Sequence, residues 1–206
     1  MRASPFGESA VLIELEQRID ERIVAQARAL ADAWERSGLG VAVPAYASVL
    51  ARFDPLAVAP ADALARARSL AGAGAAAARG GRLIEVPTVY DGPDLDEVAR
   101  LSGLSREEVV AAHAGREHTA FFLGFMPGFA YCGPLDPRIV APRLASPRAR
   151  VPAGSVAVAD GQTAVYPLDS PGGWRLIGRT TLAMFDSSRE RPALIAAGDR
   201  LRFVPR

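Results

Sequence analysis

The 206-residue chain contains no lysine and no asparagine, one cysteine (Cys132) and two histidines (His113 and His118). Each absence closes a class of chemistry. Without lysine there is no phosphate-binding loop of the GKT or GKS type, and no Schiff-base or lysine-base catalysis. Without asparagine, N-linked glycosylation does not arise. A single cysteine excludes an internal disulfide and any multi-cysteine zinc site. The two histidines stand off the i, i+4 spacing of a helical metal pair and no carboxylate-rich motif accompanies them, so no metal site is expected. No stretch approaches the ~18 uncharged apolar residues of a membrane span, and the opening Met1-Arg2-Ala3-Ser4-Pro5-Phe6-Gly7 lacks the apolar run of a signal peptide. A cytoplasmic location is therefore expected. A net charge of +1 lacks the basic footprint of a nucleic-acid-binding protein.

What is present is concentrated in one stretch. Eight of the 16 prolines (Pro127, Pro134, Pro137, Pro142, Pro147, Pro152, Pro167 and Pro171) fall between Phe125 and Arg179, interleaved with glycines and aromatics. Proline fixes φ and removes a donor, and glycine permits positive φ and close backbone approach, so the stretch has a defined but irregular path. Rigid loops on a scaffold are where binding and catalysis concentrate. Arg138, Arg143, Arg148, Arg150, Arg175 and Arg179 share the stretch with only Asp136, Asp160 and Asp169. Taken singly, each arginine reads as a surface ion pair of little energetic weight. As a set they point to a carboxylate or phosphate site, because the guanidinium fork grips such groups bidentately.

The rest of the chain organises around that stretch. Apolar content of 50% with 23% charge fits a soluble globular protein, and the length suits one large or two small domains. Residues 10–14 read as a strand. Ile23, Ala27, Leu30 and Trp34 carry a helical period over 20–37, with Gly38 to stop it. Residues 40–45 and 48–53 read as strands, 61–78 as a second helix and 83–86 as a fourth strand. That order is the split βαβ, or ferredoxin-like, arrangement, assigned to residues 1–87. Asp94 and Ser105 each stand three residues ahead of a glutamate, the capping-box signature, and predict two short helices in a connector over 88–117. From 118 to 206 short strands at turn-punctuated intervals (119–125, 155–159, 163–166, 175–177, 182–185 and 200–204) predict a mostly β domain. The fold class is thus α+β.

Within the loop stretch, Gly172 and Gly173 allow a backbone to approach a ligand, and Trp174 offers a flat wall with one donor. Ser155 lacks the G-x-S-x-G elbow of a nucleophile and reads as a ligand contact or a structural bond. Phe125, Phe129, Tyr131 and Tyr166 read as pocket wall or core. His113, at the end of the connector, is open to three readings: base, anion contact or helix-dipole partner.

The motifs also carry a family resemblance. Phe125 to Tyr131, Pro142-Arg143, Pro147 to Val156, Gln162-Thr163, Tyr166-Pro167, Ser170 to Trp174 and Ile177 to Thr180 resemble the blocks of the B-type subunit of bacterial 5-oxoprolinase. That family is also known as allophanate hydrolase subunit 1, as the KipI kinase inhibitor and as half of a carboxyltransferase domain. The resemblance continues weakly through Pro44-Ala45-Tyr46 and the closing Ala197 to Phe203, and departs at Cys132-Gly133-Pro134. It implies a cyclophilin-like barrel for the β domain. It also implies one subunit of an ATP-dependent enzyme that opens 5-oxo-L-proline to L-glutamate. In that scheme this chain and a C-type partner activate the lactam by phosphorylation, and an A-type subunit completes hydrolysis. ATP, with Mg2+, would occupy a site shared with or supplied by the partner. Arg143, Arg148, Arg150 and Arg179 would hold anions with Ser155, Gly172, Gly173 and Trp174. Phe125, Pro127, Phe129, Tyr131 and Tyr166 would wall the pocket, and His113 would move a proton. The alternatives within the resemblance are an inhibitor of a sensor histidine kinase and a subunit in allophanate or urea metabolism.

Overall fold

The computed structural model describes residues 1–18, 20–70 and 81–206. It is a mixed α+β protein whose chain divides into two compact units, Met1–Gly80 and Gly81–Arg206.

In the first unit, β1 (Arg2–Pro5), β2 (Ala10–Glu14), β3 (Ala42–Pro44) and β4 (Ser48–Arg52) form an antiparallel sheet in the order β1-β2-β4-β3. Helix α1 (Glu21–Arg36) begins where the Asp20 side chain accepts from the Arg22 backbone N–H at 2.8 Å. Its expected stripe of Ile23, Ala27, Leu30 and Trp34 is buried. The Trp34 indole N–H donates to the Arg52 carbonyl at 2.9 Å, which lets that large ring sit wholly inside. Helix α2 (Pro60–Ser69) starts on proline, whose missing N–H costs nothing in the first turn. The remainder of the expected second helix, 71–78, lies outside the described residues.

The segment read as the fourth strand of this unit belongs elsewhere. β5 (Leu83–Thr88) pairs in parallel with β13 (Arg200–Pro205) in the second unit, and the edge beside β2 is taken by β1, which the sequence reading passed over. The 1–87 boundary is corrected accordingly. Alternation fixes which face of a strand is apolar and not which strand it joins. Here the register sets Ile84 and Val86 beside Leu201 and Phe203, with Glu85 and Arg202 on the other face.

The second unit is a seven-stranded sheet in the order β12-β9-β10-β7-β6-β13-β5, adding β6 (Glu117–Leu123), β7 (Ala130–Gly133), β9 (Ser155–Ala159), β10 (Gln162–Val165) and β12 (Arg175–Arg179). Val89, just past β5, exchanges both backbone hydrogen bonds with Arg179 on β12 at 2.9 and 2.8 Å, so the sheet nearly closes into a barrel. A ribbon of β8 (Arg148–Val151) and β11 (Ser170–Gly172) stands apart from it. The expected strand at 182–185 is a single bridge, Phe185 to Ala193.

Both helices expected in residues 88–117 are present. Helices α3 (Leu95–Ser102) and α4 (Arg106–Ala114) pack on β12 and β13, and bury Leu95, Val98, Val109 and Ala112 in the barrel's main core. The capping box expected at Ser105 is present, with Ser105 and Glu108 bonding each other's backbone N–H. The one expected at Asp94 is absent: its carboxylate is drawn off to Arg148 (2.7 Å) and the Leu176 N–H (2.7 Å).

β9 explains how a second apolar cluster forms on the same sheet. Val156 and Val158 join the main core, while Ala157 and Ala159 join Phe129, Tyr166 and Trp174 on the opposite face. β10 repeats the pattern, with Val165 on one side and Ala164 on the other. Small side chains on that second face leave room for rings to lie against the sheet.

Candidate functional site

The aromatic cluster opens into a cavity of about 300 Å³ in the second unit. Phe125, Phe129, Tyr131, Tyr166 and Trp174 wall it, Arg143 stands at its edge, and Pro147, Pro171, Gly172 and Gly173 complete it. Phe129 is the hub. Its ring meets Phe125, Tyr131, Tyr166 and Trp174 edge-on at centroid distances of 5.5, 5.0, 5.2 and 5.7 Å, the favoured T-shaped arrangement.

Local sequence explains how these rings converge. Met126-Pro127-Gly128-Phe129 is a tight turn closed by Phe129 N–H to Met126 C=O at 3.1 Å, with Gly128 at φ 78°. Proline before a positive-φ glycine is the type II pattern. Pro127 therefore shapes the loop and is not among the cavity's lining residues. Phe125 also has φ of 72° and is 61% exposed at the rim, a costly backbone state for a bulky residue. Opposite, Gly172 is required by contact: a Cβ there would lie 2.3 Å from the Tyr166 hydroxyl. The loop carrying Arg143 is tied at both sides by Leu144 N–H to Gly173 C=O (2.7 Å) and Asp160 N–H to Ala141 C=O (3.0 Å).

The four arginines expected to bind anions separate here. Only Arg143 of the four lines the cavity, with its guanidinium 5.8 Å from the Trp174 ring centroid and its Nε donating to Asp160 at 2.8 Å. Arg150 spends two donors on Asp169 (2.9 and 2.6 Å), and Arg179 donates to Asp91 (2.8 Å). Arg148 is held by Asp94 and its Nη1 is buried without a partner. The sequence count missed two of these acids because Asp91 and Asp94 precede the loop stretch. Ser155 opens β9, where its backbone pairs with Arg179 and accepts from the Tyr166 N–H at 2.9 Å; it does not line the cavity.

His113 is on the other face of β10. It is wholly buried in the main core, its Nε2 2.8 Å from the Thr163 hydroxyl and its Nδ1 2.7 Å from the Tyr90 hydroxyl. Thr163 donates its own proton to the Ala157 carbonyl at 3.0 Å, so it accepts from His113 and Tyr90 donates to Nδ1: a neutral ring with both nitrogens used. Burial, aided by His118, holds its pKa well below the usual histidine range. His113 is not among the residues that line the cavity. Thr163 in β10 and Tyr166 just past its end are three apart and point to opposite faces, and the histidine follows the threonine.

Burial also raises the pKa of Tyr166 and Tyr131, so both remain phenols near neutral pH; Arg143 works against the rise in each. Burial pushes the Cys132 thiol up, away from nucleophile chemistry. Among the described residues no group of three or more His, Cys, Asp or Glu is placed to hold a metal ion, and no helix is long and apolar enough to cross a membrane.

The fold and the site together define a mixed α+β protein with a nearly closed sheet and a cavity of aromatic walls with one cation in its lining. Comparison with known proteins gives the family: residues 1–195 match the carboxyltransferase domain, subdomain C and D, and the chain belongs to that family. It is 41% identical to the 5-oxoprolinase B subunit of Escherichia coli O157:H7 over 97% of this chain and 94% of that protein. It is 38% identical to the 5-oxoprolinase B subunit of Bacillus subtilis, over 97% and 90%. Among solved structures, TTHA0988 superposes with a TM-score of 0.85 at 38% identity; the match covers 96% of this chain and 40% of that one.

Proposed function

We propose that this chain is a subunit of an ATP-dependent 5-oxoprolinase, which with a C-type partner activates 5-oxo-L-proline by phosphorylation, an A-type subunit completing hydrolysis to L-glutamate. The observation that carries the reading is the likeness to two proteins named as the B subunit of 5-oxoprolinase, each over 97% of this chain. The geometry supports it. A cavity of about 300 Å³ with flat aromatic walls and Arg143 at its edge suits a small ring bearing a carboxylate. The first unit we read as a ferredoxin-like variant whose edge strand comes from the N-terminus, and the second as a cyclophilin-like barrel.

Mg2+-ATP fits this chain poorly. There is no lysine anywhere, and the cavity lining holds no carboxylate to take a metal. The reading therefore gives the nucleotide to the partner, or to a site completed by it.

The test is reconstitution: this chain with C-type and A-type subunits, assayed for ATP turnover and glutamate release. Both should require 5-oxo-L-proline and all three chains. Turnover that is indifferent to this chain, or that follows allophanate in place of 5-oxo-L-proline, would overturn the reading, and inhibition of a sensor histidine kinase by the lone chain would favour the inhibitor.

A further inference from the structure

The cavity contains two polar groups whose hydrogen-bonding capacity the protein leaves unused. Arg143 gives only its Nε to Asp160, and neither Nη has a protein acceptor among the described residues. The Tyr166 side chain lines the same cavity, and its hydroxyl donates no hydrogen bond to the protein among the described residues. The residue as a whole is buried, and what its hydroxyl has left to meet is the cavity. Everything around it is fitted. The phenol ring is gripped edge-on by Phe129, and the hydroxyl lies so close to Gly172 that even a methyl group there would strike it. A hydroxyl held in place at a cavity wall, with no acceptor in the protein, is a donor open to a ligand.

The charge around this donor has one sign. Gly172 is the cross-strand partner of Arg148 in the β8–β11 ribbon, and paired residues project to the same face. The face on which a Gly172 side chain would meet Tyr166 is therefore the face from which Arg148 leaves. Both Arg143 and Arg148 act electrostatically on the Tyr166 phenol. Asp94 holds Arg148 from behind, and no carboxylate lines the cavity.

We propose that the Tyr166 hydroxyl and the free Nη edge of Arg143 together bind the carboxylate of the pocket ligand, leaving its ring against Trp174 and Tyr131. This rests on the reading of the chain as part of a 5-oxoprolinase and deepens it by assigning the pocket's specificity to two named groups. Tyr166 is a binding residue in this account, with Gly172 positioning it. An uncharged ligand of the same shape would offer the Arg143 guanidinium no charge-assisted bond, so the pair selects for the anion.

The test uses fluorotryptophan-labelled chain in the assembled complex, with the Trp174 fluorine resonance reporting occupancy. The probes are 5-oxo-L-proline, its neutral carboxamide, L-proline and pyrrole-2-carboxylate. Wild type should bind 5-oxo-L-proline at least about tenfold more tightly than the carboxamide, the size of one charge-assisted hydrogen bond. Tyr166→Phe, which keeps the ring and its packing, and Arg143→Gln should each erase most of that preference while leaving carboxamide affinity within about twofold. Equal weakening of both probes, or of neither, would overturn the assignment. Wild-type binding of another carboxylate but not of 5-oxo-L-proline would retain the subsite and sink the oxoprolinase reading. Failure of every carboxylate to perturb Trp174 would overturn the subsite itself.

Discussion

Two groups of rings lie on opposite faces of β10, and they treat their polar atoms in opposite ways. On the helix-covered face, His113 stacks with His118 at 5.1 Å and meets Phe203 at 4.3 Å, with both its nitrogens bonded inside the protein. On the ribbon face, Phe129, Tyr131, Tyr166 and Trp174 surround an open cavity in which Tyr166 and Arg143 keep donors unspent. The first set of hydrogen bonds is closed, and the second is open. A histidine draws attention in a sequence because it can titrate, yet here the unspent donors lie on the other face.

The contrast is most vulnerable at Gly172. Gly172→Ala places a Cβ 2.3 Å from the Tyr166 hydroxyl, so the ring must leave its position. We expect 5-oxo-L-proline-dependent ATP turnover of the reconstituted complex to fall by about a hundredfold or more with assembly intact, since about 1.4 kcal/mol is tenfold. Size-exclusion chromatography and turnover, read together, check this.

His113→Ala should show the reverse pattern. It leaves a cavity and strips partners from Tyr90 and Thr163, at about 1–3 kcal/mol for each unsatisfied group. The urea midpoint should drop by an amount equivalent to about 3 kcal/mol, while KM for 5-oxo-L-proline stays within about twofold.

A paired substitution separates the arginines. Arg143→Gln should cost about ten- to hundredfold in turnover, the loss of a charge-assisted contact. Arg150→Gln, which lies outside the cavity lining and is paired with Asp169, should change turnover by less than about twofold. Steady-state kinetics on the two complexes decides it.

The smallest expected effect is on pH. Burial depresses the folded-state pKa of His113, so below about 6.5 the unfolded chain binds a proton that the folded chain refuses. Stability from this group is whole above about pH 6.5 and declines as pH falls toward the folded value, by at most about 1.4 kcal/mol per pH unit. His118, also depressed by burial, adds a slope of the same sign. Urea titrations near about pH 7.5 and about pH 5.5 should show the decline, and His113→Gln should flatten part of it.

How far the sequence could be read follows from what each signal encodes. Helix α1 was legible because Ile23, Ala27, Leu30 and Trp34 repeat at a period only a helix satisfies. Strand β2 matched at both ends. The partner of β5 was not legible, since pairing with β13 depends on a segment more than a hundred residues away. Strands β8 and β11 hid inside proline-rich runs that read as loop. At the site, the density of proline, glycine and aromatics located the cavity, and Phe125, Phe129, Tyr131, Arg143, Tyr166, Gly172, Gly173 and Trp174 line it as a set. Pro147 and Pro171 line it too, and carried no chemical signal that would mark them. Charge composition misled for Arg148, Arg150 and Arg179, because ion pairing is a property of space. Asp91 and Asp94 lie outside the loop stretch, and Asp169 is 19 residues from Arg150.

Ligand recognition, on this reading, belongs to the ribbon face of β10 and not to the histidine core behind it. The two faces are told apart by kcat/KM for 5-oxo-L-proline in the reconstituted complex, measured beside the urea midpoint, for Arg143→Gln and His113→Gln. Arg143→Gln should lower kcat/KM by about tenfold or more with an unchanged midpoint, and His113→Gln should lower the midpoint with kcat/KM within about twofold. The opposite pairing, with His113→Gln inactive but fully stable and Arg143→Gln fully active, would contradict it.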